Sequence, residues 1–429
     1  MTPLAFQRIL SPHFFYAIQM SSKVIFLAVG LLLNRWLITN LSASEYATYN
    51  VVNDSLIPLV FVFLTLSLTS LIQKHYTNTP FDEEHQESFA NIWTTFFIIR
   101  VASFFVGSLA LTIINTVFNL ADIWIILLLF TSQFIILLDW NYRAVCDATG
   151  RAWMFGLGDV LGKTSILAVA YGLVWSGVAV TLTQYGMIMV GGYTLSLLID
   201  MIWQRQFTPW GRFDSTIITQ NLRPILTLSV TSIVTYFYLF SFQLNLQILG
   251  IAETEINTFS NAYNRLFLTF VSIPAIIMPN VATRLTQALR KKNYTKAKKI
   301  AWALAAFSVA YFLAYQAGVL VILNILDPES LYPGTLTLVR ILSLGILVYP
   351  TIHLLGPLFI FFHKEKYELI VSVVLAILGL SLQFIVVPIW GITGLVYSIV
   401  IVTFVDFFLK VILFGRIIQG FKTHPITTE

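Results

Sequence analysis

Apolar residues in this chain arrive in long blocks, with few of the short alternating runs that mark a half-buried sheet. A bilayer core of ~30 Å is crossed by ~20 helical residues. About twelve blocks reach that length, near 14–37, 46–72, 90–117, 122–146, 153–175, 182–203, 222–249, 256–280, 300–325, 335–362, 368–388 and 391–416. The pattern predicts an all-α integral membrane protein, with about 12 transmembrane helices split into a lobe over 1–205 and a second over 206–429. The block at 256–280 is unusual: ten Leu, Ile, Phe or Val residues share it with Asn257, Asn261, Asn264 and Arg265. Those four fall at i, i+4, i+7 and i+8, on one side of a regular helix. A central Arg costs roughly 2.5–3.5 kcal/mol to insert and each apolar residue returns roughly 0.3–0.6, so this helix enters lipid with little margin. Its polar stripe is expected to face protein or a water-filled cavity, where a cation and a rank of amides suit a ligand bearing phosphate and sugar.

The connections between blocks alternate in charge. Those near 38–44, 118–121, 176–181, 250–255, 326–334 and 389–390 hold no Lys or Arg. The others hold Arg143, Arg151, Arg205, Arg212, Arg290, Lys291, Lys292, Lys296, Lys298, Lys299, Lys364 and Lys366. The positive-inside bias places this second set, with both termini, in the cytoplasm. Composition agrees: 57% of the 429 residues are apolar and only 10% charged. A soluble chain of that size could not cover itself with so few charges. The basic balance belongs to membrane-flanking loops and points away from nucleic acid. One cysteine, Cys146, excludes an internal disulfide and a cysteine-based metal cluster. The start lacks a cleavable leader pattern and reads as an uncleaved anchor. There is no phosphate-binding Gly loop with Lys and Ser or Thr, and no His or Cys set with ligand spacing, so no cofactor, metal or catalytic residue is expected.

Displaced by 210 residues, Glu45 to Leu56 falls on Glu255 to Leu266 with Glu, an aromatic and Leu in register, and a polar pair follows in both frames. Six blocks on each side then suggest a parallel repeat about an axis along the membrane normal, with a path between the lobes.

The run LLLNRWLITNLSASEYATYNVVNDSL resembles the opening of the polysaccharide transporters, the flippase branch of the multidrug/oligosaccharidyl-lipid/polysaccharide exporter superfamily, with Ala47 where Gly is usual. The segment from LRPILTLSV to LRKKNY resembles that family's seventh and eighth helices, with an aromatic before Arg265 and the later Pro279, and IVVPIWGITGLVYSIVI is similar to its last helix. The resemblance implies two pseudo-twofold-related six-helix lobes around a central cavity, alternating between the two faces of a bacterial inner membrane. It implies a cargo of polyprenyl-diphosphate-linked oligosaccharide such as an O-antigen unit, with membrane lipids, a polysaccharide polymerase and a chain-length regulator as partners. Where the family often carries an acid in its seventh helix, this chain offers Gln243, Asn245 and Gln247.

Within this frame Lys23, Arg35, Arg100 and Arg265 are the candidate diphosphate contacts. Tyr236, Gln243 and Gln247, at i, i+7 and i+11, suit sugar hydroxyls, and Asp54 is the candidate for a coupling cation or proton. Asp139 with Arg143, Asp159 with Lys163 and Asp406 with Lys410 stand at i, i+4 and read as structural pairs near membrane edges. His353, between Pro350 and Pro357, is a candidate protonation switch or packing residue in a bent helix. The rival readings are an integral-membrane O-unit polymerase or ligase, which would carry a large outer loop with paired cations, and a drug exporter of the same superfamily, whose cargo is often cationic.

Overall fold

A computed structural model describes residues 12–64, 68–78, 85–148, 152–239, 241–327, 331–362 and 364–423. Among them every regular element is helical. The chain divides into two compact units, Met1–Ser229 and Val230–Glu429.

The first unit opens with α1 (Pro12–Asn40), and a capping box restarts the chain at once. The Ser42 hydroxyl accepts from the Glu45 amide at 3.2 Å, while Glu45 Oε2 accepts from the Ser42 amide at 3.2 Å, satisfying two donors that a helix start leaves open. The result is α2 (Ala43–Val51), which widens into a π-helical segment (Val52–Leu56) before α3 (Ile57–Leu64) and α4 (Leu68–Asn78). Long apolar helices follow: α5 (Gln86–Phe118), α6 (Ile123–Ala148), α7 (Ala152–Trp175) and α8 (Leu182–Gln204). α8 packs on both α6 and α7, α1 lies on α7, and α4 lies on α6. At the α4–α5–α6 contact Leu71, Ile72, Phe89, Trp93 and Tyr142 form an apolar core.

The division falls later than the expected boundary after residue 205, inside α10 (Leu222–Leu239), beyond the short α9 (Ser215–Gln220). Polar side chains of α5 account for this. Asn91 Oδ1 accepts from the Arg212 amide at 2.7 Å, Thr94 from Gly211 at 2.8 Å and Thr95 from Asp214 at 2.9 Å, tying the connection back onto the first unit.

In the second unit α11 (Phe242–Ile248) and α12 (Glu253–Ser260) precede another π-helical segment (Asn261–Leu268), then α13 (Thr269–Arg290) and α14 (Tyr294–Leu326). α15 (Thr335–Ser343) runs through a 3-10 turn (Leu344–Leu347) into α16 (Tyr349–Phe361), with a bend of 45°. The bend precedes His353: the Pro350 ring excludes the bond to the carbonyl four residues earlier, that of Ile346 in the 3-10 turn. The last element, α17 (Glu365–Thr423), breaks at Gly391, whose φ of 57° suits a residue without Cβ.

Among the described residues six helices have the length and apolarity to span a bilayer, or seven with the bent pair; α17, with its break, counts once. The second and eighth expected spans are each divided by a π segment. The repeat reappears as local geometry. Displaced by 210 residues, Val52–Leu56 falls on 262–266, inside the second π segment. Glu45 Oε1 accepts from the Leu182 amide at the start of α8 at 3.1 Å, and a Cβ on Gly391 would lie 3.9 Å from Glu255 Oε2. The same glutamate thus reaches the same helix start in each unit.

Candidate functional site

The π segment of the second unit carries the polar stripe. Phe259, Tyr263 and Phe267 stack in series, with ring centroids 5.4 and 5.7 Å apart, and Phe242 of α11 meets Tyr263 edge-on at 5.1 Å. This aromatic face anchors the segment and leaves Asn257, Asn261 and Arg265 along another, all buried, with Arg265 8% exposed. Asn264 is half-buried, and its amide donates to Ser260 Oγ at 3.2 Å. A π turn replaces i→i+4 bonds with i→i+5, so the stripe is not the simple 3.6-residue face of a regular helix.

The first unit places its candidates differently. Arg100 on α5 is 1% exposed. Its Nη2 donates to Thr69 Oγ1 at 3.1 Å, and Thr69 in turn donates to Asn141 Oδ1 at 3.4 Å, while Nε and Nη1 have no acceptor. Arg35 is half-buried near the end of α1, within electrostatic reach of Tyr171. Lys23 lies on the same helix, and its side chain is outside the described residues. Asp54 sits half-buried in the first π segment, where Asn53 Nδ2 donates to its Oδ1 at 2.8 Å and Gln133 Nε2 donates to Asn53 Oδ1 at 2.8 Å. Asp54 is thus joined through Asn53 to Gln133 of α6.

Tyr236, Gln243 and Gln247 do not share one helix. Tyr236 belongs to α10, which ends at Leu239, and the two glutamines to α11; Tyr236 and Gln243 are buried, whereas Gln247 is exposed. The i, i+7, i+11 spacing therefore gives no common face. The three i, i+4 pairs also separate. Asp406 and Lys410 do pair, at 3.4 Å. Asp159 has Lys163 and Arg143 within electrostatic reach, and Asp139 turns from Arg143 toward α8, accepting from Ser196 Oγ at 3.3 Å.

Spacing along one helix did not reveal the cavity of the second unit, largely apolar but with a cluster of charged and polar groups on its walls. It measures about 340 Å³, and its walls include His353, Glu368, Gln383, Thr403, Asp406 and Lys410. Lys410 Nζ lies 2.8 Å from Glu368 Oε1, and its side chain is 6% exposed. Asn245 donates to Gln383 Oε1 at 2.6 Å. His353 Nε2, Glu368 Oε2 and Gln383 Nε2 have no partner of their own. Two carboxylates against one ammonium leave an excess acid where unfilled polar atoms meet open space, an arrangement able to take a proton or a small cation. The sequence signal was the pair of acids, Glu368 and Asp406, in otherwise apolar blocks.

At Glu45 a titration shift follows directly from the hydrogen bonds around it. Burial raises the pKa of Glu45, but hydrogen bonds from the Leu182 amide and from the Ser42 hydroxyl and amide outweigh it and hold the carboxyl below its ordinary value.

No protein-family description matches this chain, and no curated protein matches its sequence. Solved structures do match in fold. One is an inward-facing multidrug resistance MATE family transporter of the MOP superfamily, at 14% identity and a TM-score of 0.73, covering 96% of this chain and 99% of that one. Another is the lipid II flippase MurJ in an inward closed conformation, at 13% identity and a TM-score of 0.71, covering 97% and 94%. A third is a MOP superfamily transporter from Pyrococcus furiosus, described as having a binding pocket of reverse polarity, at 13% identity and a TM-score of 0.68, covering 94% of each chain. The chain has the fold of these transporters.

Proposed function

We propose that this chain is a flippase, moving a polyprenyl-diphosphate-linked oligosaccharide such as an O-antigen unit from the cytoplasmic to the outer leaflet of a bacterial inner membrane, with both termini cytoplasmic. The observation that carries the reading is Arg100: a guanidinium buried in a membrane span with two donor nitrogens unfilled and no acid bound to it. Such a group calls for an anion, and a diphosphate offers planar pairs of acceptors. Arg265 supplies a second buried cation, beside the amides of Asn257 and Asn261. Arg100 is closed off in this conformation, so helix movement has to admit the cargo, as alternating access requires. A cargo of charge about −2 moving outward gains about 2.3 kcal/mol per charge per 100 mV from an inside-negative potential. The cavity around Lys410 offers a place for proton or cation coupling in addition to Asp54.

A drug exporter is the second reading, favoured by the acids of the cavity, which suit a cationic cargo. Lys410 offsets that preference by occupying the space between Glu368 and Asp406.

The test is deletion and complementation, following lipid-linked repeat units by leaflet. Units should accumulate on the cytoplasmic side and be cleared by the wild type, with Arg265→Ala, at equal membrane abundance, slower by about tenfold or more, the equivalent of one charge-assisted contact. Unpolymerised units collecting outside would assign the chain to polymerisation. Efflux of cationic compounds without any effect on repeat units would assign it to drug export.

A further inference from the structure

The first unit contains a second cluster of ionisable groups, unlike the one around Lys410. Asp139 of α6 and Asp200 of α8 are 3% and 0% exposed. Asp139 Oδ2 accepts from Ser196 Oγ at 3.3 Å, one turn before Asp200 on α8, and the two carboxyls lie within electrostatic reach of each other. Neither carboxylate can donate, and two negative charges side by side in apolar packing repel, so a proton on one of them relieves the pair. No N–H or O–H of the described residues donates to either oxygen of Asp200, and Asp139 accepts only from Ser196 Oγ.

The packing leaves nothing larger than a proton as the neutralising partner. A Cβ on Gly158 of α7 would stand 2.8 and 2.9 Å from the two oxygens of Asp200, and one on Gly162 would stand 3.0 Å from the Gly192 carbonyl. Glycines thus bring α7 and α8 close enough that the Asp200 carboxyl lies directly on the α7 backbone. A hydrated cation does not fit such a contact. Among the described residues no three His, Cys, Asp or Glu side chains are placed to hold a metal ion.

The charged groups on α4 to α8 are accounted for. On α6, Tyr142 is within electrostatic reach of both carboxyls, and Arg143 is within electrostatic reach of Asp159. On α7, Asp159 faces the pair with Lys163 one turn along, so this base is shared with a third acid. On α8, Tyr193 lies toward Asp159. Arg100 of α5 is held by Thr69 of α4, and His75 of α4 turns its ring to Phe89.

We infer that Asp139 and Asp200 form a proton-binding site, holding one proton between two carboxyls while α6, α7 and α8 are packed together. Asp200 lies four residues from the end of α8 and Asp159 seven from the start of α7, so a small parting of these helices gives water access. The proton then leaves, and the two carboxylates repel until it returns. The site is independent of the cargo: it stands or falls on the pair itself.

Infrared spectroscopy of the purified protein in lipid tests it. The wild type should show a protonated-carboxyl C=O band at neutral pH that shifts in D2O. Asp139→Asn and Asp200→Asn should each remove that band while keeping the fold, because an Asn amide donates to the remaining carboxylate and reproduces the singly charged pair. The double Asn variant, with no charge to bury, serves if a single one does not assemble. No loss of protonated-carboxyl intensity in the folded variants relative to the wild type, or no such band in the wild type, overturns the proposal; any contribution from the Glu368 and Asp406 group is common to both. Loss of flipping with the band intact would bear on the transport reading alone.

Discussion

The two units face the same difficulty, buried carboxyls among apolar helices, and meet it by different means. In the second unit Lys410 stands between Glu368 and Asp406, at 2.8 and 3.4 Å, and the group opens into a cavity. In the first, Asp139 and Asp200 face each other without a base, pressed against Gly158. A resident ammonium is tied to its helix by the side chain, whereas a shared proton can leave. The same lipid-facing architecture therefore carries a fixed counter-charge on one side and an exchangeable one on the other.

Removing the counter-charge is the strongest way to break this comparison. Lys410→Met leaves Glu368 and Asp406 buried without compensation and should cost about 3–5 kcal/mol, read as a fall in the thermal unfolding midpoint in detergent. Neutralising both acids as well, with Glu368→Gln and Asp406→Asn, should restore most of it. Wild-type stability in Lys410→Met would show that the ammonium is not what holds these acids.

Next in size is Gly158→Ala. The new methyl would meet Asp200 Oδ1 at 2.8 Å, so the carboxyl or the helix has to shift, at about 1–3 kcal/mol. Gly172→Ala, on the same helix with nothing within 4 Å, is the matched control and should be neutral or stabilising by up to about 1 kcal/mol. Equal effects at the two glycines would mean that Asp200 does not depend on close approach of α7.

These side chains also show what could be read before the fold. The i, i+4 rule found Asp406 with Lys410 because both partners sit on one helix, but Glu368, which makes the shorter contact, lies 42 residues away. The same rule misplaced Asp139: its partner Ser196, and Asp200 within electrostatic reach, come from α8, and rotation of one helix against another is not written in the spacing of either. Apolar block length gave the helical membrane architecture, because burial in lipid acts on each segment separately. It did not give the breaks at 239–242 or the π turns, since a 3.6-residue template assumes an unbroken ladder. Glu45 and Glu255 were legible as a repeat because the residue type itself recurs, each lying near a helix start, although only Glu45 bonds to it.

That last equivalence yields the smallest effect and the sharpest contrast. Glu45 accepts from the Leu182 amide and closes the capping box with Ser42, whereas Glu255 is exposed and only near Gly391. Glu45→Gln should cost about 1 kcal/mol, the scale of one cap, and Glu255→Gln a few tenths at most. The pH dependence gives an independent readout. The folded pKa of Glu45 is depressed, so its contribution is complete above the ordinary carboxylate value and is lost as pH falls through the lower folded one. The wild type should therefore lose this increment on acidification while Glu45→Gln does not, and their unfolding midpoints should converge at low pH. Midpoints that stay parallel across the acid range would mean that the charge on Glu45 plays no part in clasping α8, leaving the repeat as a likeness of shape alone.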